Sequence, residues 1–112
     1  MLEQKEFYIA GVQFRPKVDI KEALDRLKDG DKLYLEPEPS NKFDPNAIKI
    51  ESLGDHETTD DIFLGYVPKK FSSEISGLLE IDVALECILT TLSKMGKPWE
   101  MFKVTVKEME EE

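Results

Sequence analysis

Leu35–Ile50, LEPEPSNKFDPNAIKI, reads as a strand that stops, a turn dense in Pro, Asn and Asp, and a second strand. Leu33 and Leu35 alternate with polar neighbours, the pattern of a strand with one buried face. Pro37 and Pro39 then remove backbone donors, which ends the strand or confines it to a sheet edge. Ser40, Asn41, Asp44, Pro45 and Asn46 are residues that hydrogen-bond their own backbone or preset φ, so an ordered turn is expected, longer than a two-residue hairpin loop. Phe43 stands in its middle, where an aromatic ring serves either as a lid on the core or as a stacking surface; composition favours the lid. Ala47, Ile48 and Ile50 restart a strand that runs to Leu53.

Outward from this stretch the chain alternates short strands with two helices. Phe7 to Phe14 reads as a first strand with a bulge or bend at Gly11. Ile20, Ala23, Leu24 and Leu27 recur at helical spacing, with Asp19 as N-cap and Gly30 after the last turn. Lys32 to Glu36 is the second strand and Ile62 to Val67 the fourth. Pro68 opens a second helix with Phe71, Ile75, Leu78 and Leu79 inward, and Ser72, Ser73 and Ser76 facing water. Ile81 to Leu92 alternates as a long strand, Lys94–Pro98 turns, and Trp99 to Val106 is the last strand. Five or six short strands without a βαβ rhythm predict a mostly β fold: a small antiparallel barrel or sandwich with helical connections.

The 112 residues suit one core, placed at 1–107, followed by an acidic frayed tail at 108–112. No apolar run is long enough to span a bilayer and the start lacks a signal peptide's pattern, so a soluble, cytoplasmic protein with no membrane partner is expected. Cys87, the single cysteine, falls in the alternating run Val83, Leu85, Cys87, Leu89 and reads as a small buried hydrophobe. Catalytic patterns are missing: there is no Gly-rich phosphate loop, no CxxC or HxxxH spacing, and one histidine, His56, in an acidic loop. A binding protein, not an enzyme, is expected, without metal or cofactor. The net charge of -9 opposes polyanion binding. Nine acids in two segments, Glu51–Asp61 and Glu108–Glu112, equal the whole excess, so a basic patch more than one Debye length away, about 10 Å at 0.1 M salt, remains compatible with the composition.

Asn41-Lys42-Phe43-Asp44-Pro45-Asn46-Ala47-Ile48 resembles the N-x-[FY]-D-x-N-A-I signature of the HIRAN domain family, small modules attached to DNA-remodelling helicases and nucleases and also found alone. Ala10–Arg15 and Leu64–Pro68 agree with two further family motifs in order and spacing, so the resemblance covers about Phe7 to Val106. It implies an OB-like antiparallel β-barrel of about six strands with two short α-helices. It also implies a non-catalytic module that recognises the 3' ends of single-stranded DNA, in repair or processing of damaged or stalled DNA, beside a helicase or nuclease acting in trans.

By position, the resemblance makes Phe14 and Phe43 stacking residues, Asp44 the acceptor of the terminal 3' hydroxyl with Asn41 beside it, and Lys69 a phosphate contact. Tyr66 replaces a polar ring of the family, and Trp99 stands near a late aromatic. Gln13 occupies the place of an arginine, a loss of charge that Arg15 is positioned to offset. Residue chemistry alone leaves other roles open: Phe14 and Phe43 as core or lid, Asp44 and Asn46 as turn caps, Lys69 as helix surface. The alternative function is a protein-interaction module that keeps the fold, has lost the DNA site, and uses its acidic loop and tail.

Overall fold

β2 (Lys32–Pro37) is the hinge of the architecture, because its two halves pair with different neighbours. Lys32 and Leu33 pair with β5 (Leu85–Leu92), whereas Tyr34 to Pro37 pair with β3 (Ile48–Ser52). Together with β1 (Lys5–Tyr8), β4 (Ile62–Tyr66) and β6 (Phe102–Glu108) they make one antiparallel sheet in the order β1-β6-β5-β2-β3-β4. Register shifts at Ile50/Glu51 and at Leu89/Thr91 add local twist. A bridge between Ala10 and Tyr66 then ties the two ends of the sheet, through Ala10 N–H to the Tyr66 carbonyl (2.9 Å) and Tyr66 N–H to the Ala10 carbonyl (2.8 Å). The result is a curled, OB-like half-barrel, as the strand pattern and the family resemblance predict. The computed structural model describes residues 3–109.

The core follows strand alternation. Leu33 and Leu35, Ile48 and Ile50, Cys87 and Leu89, and Phe102, Val104 and Val106 all point inward and are buried. Two helices cover the open sides. α1 (Lys17–Arg26) buries Ile20 and Ala23, and Arg26 at its end donates to the carbonyls of Ser52 and Asp60 (both 2.9 Å), which fixes the helix to the β3–β4 hairpin. α2 (Lys69–Glu80) buries Ser72, Ile75 and Ser76.

Several elements depart from the sequence reading. The chain from Phe7 to Phe14 is not one strand: Gly11, at φ 79°, diverts it into a short 3-10 turn, Val12–Phe14. Pro16 occupies the N-cap of α1, and Asp19 lies inside its first turn. Residues 81–84 leave the helix instead of starting a strand, with Asp82 at φ 62°. Trp99 belongs to a second 3-10 turn, Pro98–Glu100, that packs on the first. Ser72 and Ser76 face the interior, not water. Glu108, assigned to the tail by sequence, lies in β6; residues 110–112 are outside the described residues.

Cys87 is 1% exposed, and burial pushes its thiol up to about 12. Since the thiolate is the nucleophile, a disulfide reagent at mildly alkaline pH should leave the folded protein unmodified and label it at once in denaturant. Rapid labelling of the native protein would contradict the packing of β5.

Candidate functional site

The turn between β2 and β3 is held by its own side chains. Asn41 Oδ1 accepts from the N–H groups of Phe43 (2.8 Å) and Asp44 (3.0 Å), and Asp44 Oδ1 accepts from Asn46 N–H (2.8 Å). Main-chain bonds from Glu38 N–H to Ala47 and from Ala47 N–H to Asp44 close its base. Ordered turn chemistry is thus confirmed. The Phe43 ring, however, is 91% exposed: pinning its backbone N–H to Asn41 sends the side chain outward, so the lid reading is wrong.

Behind the turn stands Glu38, whose carboxylate accepts from Asn41 Nδ2 (2.7 Å) and from the Tyr66 hydroxyl (2.8 Å). It therefore links the turn to the Ala10–Tyr66 closure of the barrel. The Asn41 amide holds the Glu38 carboxyl below its ordinary pKa, aided by Tyr66 and Lys49, while burial and the same Glu38 contact raise the Tyr66 phenol. Under the other edge, Ser72 Oγ donates to Asp44 Oδ2 at 2.9 Å; the Lys69 carbonyl lies farther off at 3.2 Å, and one hydroxyl proton serves the nearer acceptor. Asp44 is thus braced from two directions with lone pairs left over.

These groups surround a pocket of about 300 Å³ lined by Asn41, Phe43, Asp44, Tyr66 and Lys69 with Ala10, Ala47 and Val67. Five of the nine residues singled out by sequence therefore share one pocket. The other four do not line it. Phe14 projects from the first 3-10 turn, 81% exposed, and Trp99 from the second, 50% exposed. Gln13 and Arg15 line a separate groove, and Arg15 is partly engaged: its guanidinium lies 3.9 Å from the Phe63 ring centroid and Nε donates to the Phe63 carbonyl. Arg15 thus lies on Phe63 in the same groove as Gln13.

Sequence reasoning missed Glu38 and Ser72. Helical spacing from Ile75 puts Ser72 on the inward face, a signal that polarity obscured. Nothing marks Glu38 in sequence, since only one of its carboxylate's two hydrogen-bond partners, Asn41, is local and the other, Tyr66, comes from β4.

The acidic loop is remote and internally occupied. It joins the far ends of β3 and β4, a five-residue strand length of about 17 Å from the pocket end, beyond the Debye length of about 10 Å. Asp55 accepts from the N–H groups of Glu57, Thr58 and Thr59 and from the Thr58 hydroxyl, which together depress its pKa strongly. Asp61 accepts from Gly54 N–H and meets His56 Nε2 at 2.7 Å. Among the described residues no group of His, Cys, Asp and Glu is arranged to hold a metal, and no helix is long and apolar enough to cross a membrane.

The small OB-like half-barrel thus presents a braced polar turn and the outward ring of Phe43 at one pocket. The chain belongs to the HIRAN domain family, whose model matches residues 3–95, and HIRAN domains are in general nucleic-acid-binding modules. Two solved structures share the fold: a protein from Lactobacillus plantarum, 18% identical, with a TM-score of 0.73 over 93% of this chain and 95% of that one; and the HIRAN domain of human HLTF, 11% identical, with a TM-score of 0.65 over 92% and 72%. No curated protein sequence matches the chain.

Removing Glu38 should loosen the turn. Glu38→Ala is expected to cost about 1 kcal/mol and to speed amide exchange at Phe43 and Asp44. Because the folded pKa of Glu38 is lowered, its contribution is present above the unfolded value of about 4.3 and disappears as pH falls through the folded value. The protection of these wild-type amides, relative to their intrinsic exchange rate at each pH, should therefore fall in acid, and Glu38→Ala should not share that transition.

Proposed function

We propose that this HIRAN domain binds the 3' end of single-stranded DNA without catalysis. The observation that carries the reading is the Asp44 carboxylate, fixed by Asn46 N–H and Ser72 Oγ at an open pocket beside an exposed Phe43 and an exposed Lys69. A carboxylate in this setting accepts hydrogen bonds and repels anions, so it favours a terminal hydroxyl over a terminal phosphate. Phe43 offers a free ring face to the last base, and Phe14 one to a neighbouring base; such stacking contributes about 1–3 kcal/mol per base. Lys69, at the start of α2, supplies a cation for the adjoining phosphate. With Gln13 uncharged and Arg15 lying on Phe63, phosphate contacts are few, and modest, salt-sensitive affinity follows.

The test is fluorescence anisotropy with a short labelled oligonucleotide carrying either a free 3' hydroxyl or a 3' phosphate, at low and moderate salt. The reading requires binding at low salt that is lost when the hydroxyl is phosphorylated. Equal binding of both ends would remove Asp44 as the end reader, and no binding at low salt would remove DNA as the ligand.

A further inference from the structure

The groove beside the pocket has a different chemistry. It measures about 250 Å³ and runs between α1 and the two 3-10 turns. Its floor is aliphatic, with Val12, Ile20 and Met101 buried there. Its rim carries Arg15, Lys17 and Lys21, and no carboxylate lines it, in a chain where acids outnumber Lys and Arg by 24 to 15. Among the described residues none of these three cations forms an ion pair, while Glu22 on the same helix turns to Arg26 at 3.4 Å. Segregation of unpaired positive charge around an apolar floor complements an acidic ligand with aliphatic side chains.

Nucleic acid fits this groove poorly. Phe14 and Trp99 belong to the same two 3-10 turns, yet neither lines it, so it offers bases no stacking face. We propose that the groove is a docking site for a partner protein's acidic peptide segment, whose Leu, Ile or Met side chains enter the floor while its Asp and Glu residues meet Lys17 and Lys21, in a positive field to which Arg15 adds from its place on Phe63. The site is separate from Asp44 and does not depend on the DNA reading.

Selection of random peptides displayed on phage against the immobilised protein provides the test. Enriched peptides should combine Asp or Glu with Leu, Ile or Met, and a synthetic copy should bind with strong salt dependence. Lys17→Glu with Lys21→Glu should weaken that copy about tenfold or more, since charge reversal at the rim replaces attraction with repulsion. Both lysines are exposed, and Glu at position 17 suits a helix N-terminus, so folding is preserved. Phe43→Ala and Asp44→Asn should leave the peptide's affinity unchanged. Selection of neutral or basic peptides, no enrichment, or binding indifferent to the double reversal would overturn the proposal. So would loss of oligothymidylate binding on the double reversal with peptide binding retained, which would give the groove to nucleic acid.

Discussion

Asp44→Asn should abolish or invert the preference for a free 3' hydroxyl while leaving the domain folded. The amide oxygen can still accept from Asn46 N–H, and the amide nitrogen can donate to Ser72 Oγ, whose own proton then turns to the Lys69 carbonyl. What changes is the face presented to a ligand: a charged acceptor becomes neutral and carries donors. A hydrogen bond to a charged group contributes about 1.5–3 kcal/mol, so affinity for the hydroxyl end should fall by about one to two orders of magnitude. The phosphate end, no longer repelled, should gain. Phe43→Ala is the complementary variant. Loss of the ring should weaken both ends alike, by about 1–3 kcal/mol, without altering their ratio. Anisotropy on the two oligonucleotides separates these effects, and an Asp44→Asn protein that keeps the wild-type ratio would exclude Asp44 from end recognition.

That division of labour between neighbouring residues was visible in the chain only where the chemistry is local. The Asn41 and Asp44 side chains accept from backbone N–H groups within three residues of themselves, so their order in the sequence already specifies an ordered turn. Strand alternation likewise places Leu33, Leu35, Phe102, Val104 and Val106 on the core side. Harder to read were places where one residue redirects the backbone. Gly11 enters the left-handed region and rotates everything up to Phe14 out of the β1 line, which is why Phe14 is exposed although its alternation suggests a strand. Pro98 does the same to Trp99 by opening a 3-10 turn. Ser72 was concealed for another reason: its hydroxyl is buried because a distant carboxylate, Asp44, receives its proton. Polarity predicts exposure only until a partner is supplied from elsewhere in the fold. Glu38 belongs to the same class, and it is through Glu38 that the barrel closure and the turn communicate.

The second large effect concerns that closure. Gly65→Ala should lower stability by about 2–3 kcal/mol, with a fall in Tm of roughly 10 °C. A Cβ at Gly65 would collide with the Ala10 carbonyl oxygen and would lie 2.7 Å from Ile9 Cγ2. Neither can yield cheaply. The Ala10 carbonyl accepts from Tyr66 N–H, and Ile9 is buried with its own N–H bonded to the Phe102 carbonyl at 2.9 Å. Moving them opens the sheet where its two ends meet, and displaces Tyr66, whose hydroxyl holds Glu38 and through it Asn41. Oligonucleotide binding should therefore weaken together with stability, although position 65 touches no ligand in the proposed mode. Gly77→Ala is the control. It lies on the exposed side of α2 with nothing within 4 Å of a new Cβ, so the same chemical change there should raise stability by about 0.5–1 kcal/mol through helix propensity and a less flexible unfolded chain. Thermal melts of the two variants should move in opposite directions. Equal melting temperatures would mean that the Ala10–Tyr66 bridge is not a tight closure and that the pocket is braced by the turn alone.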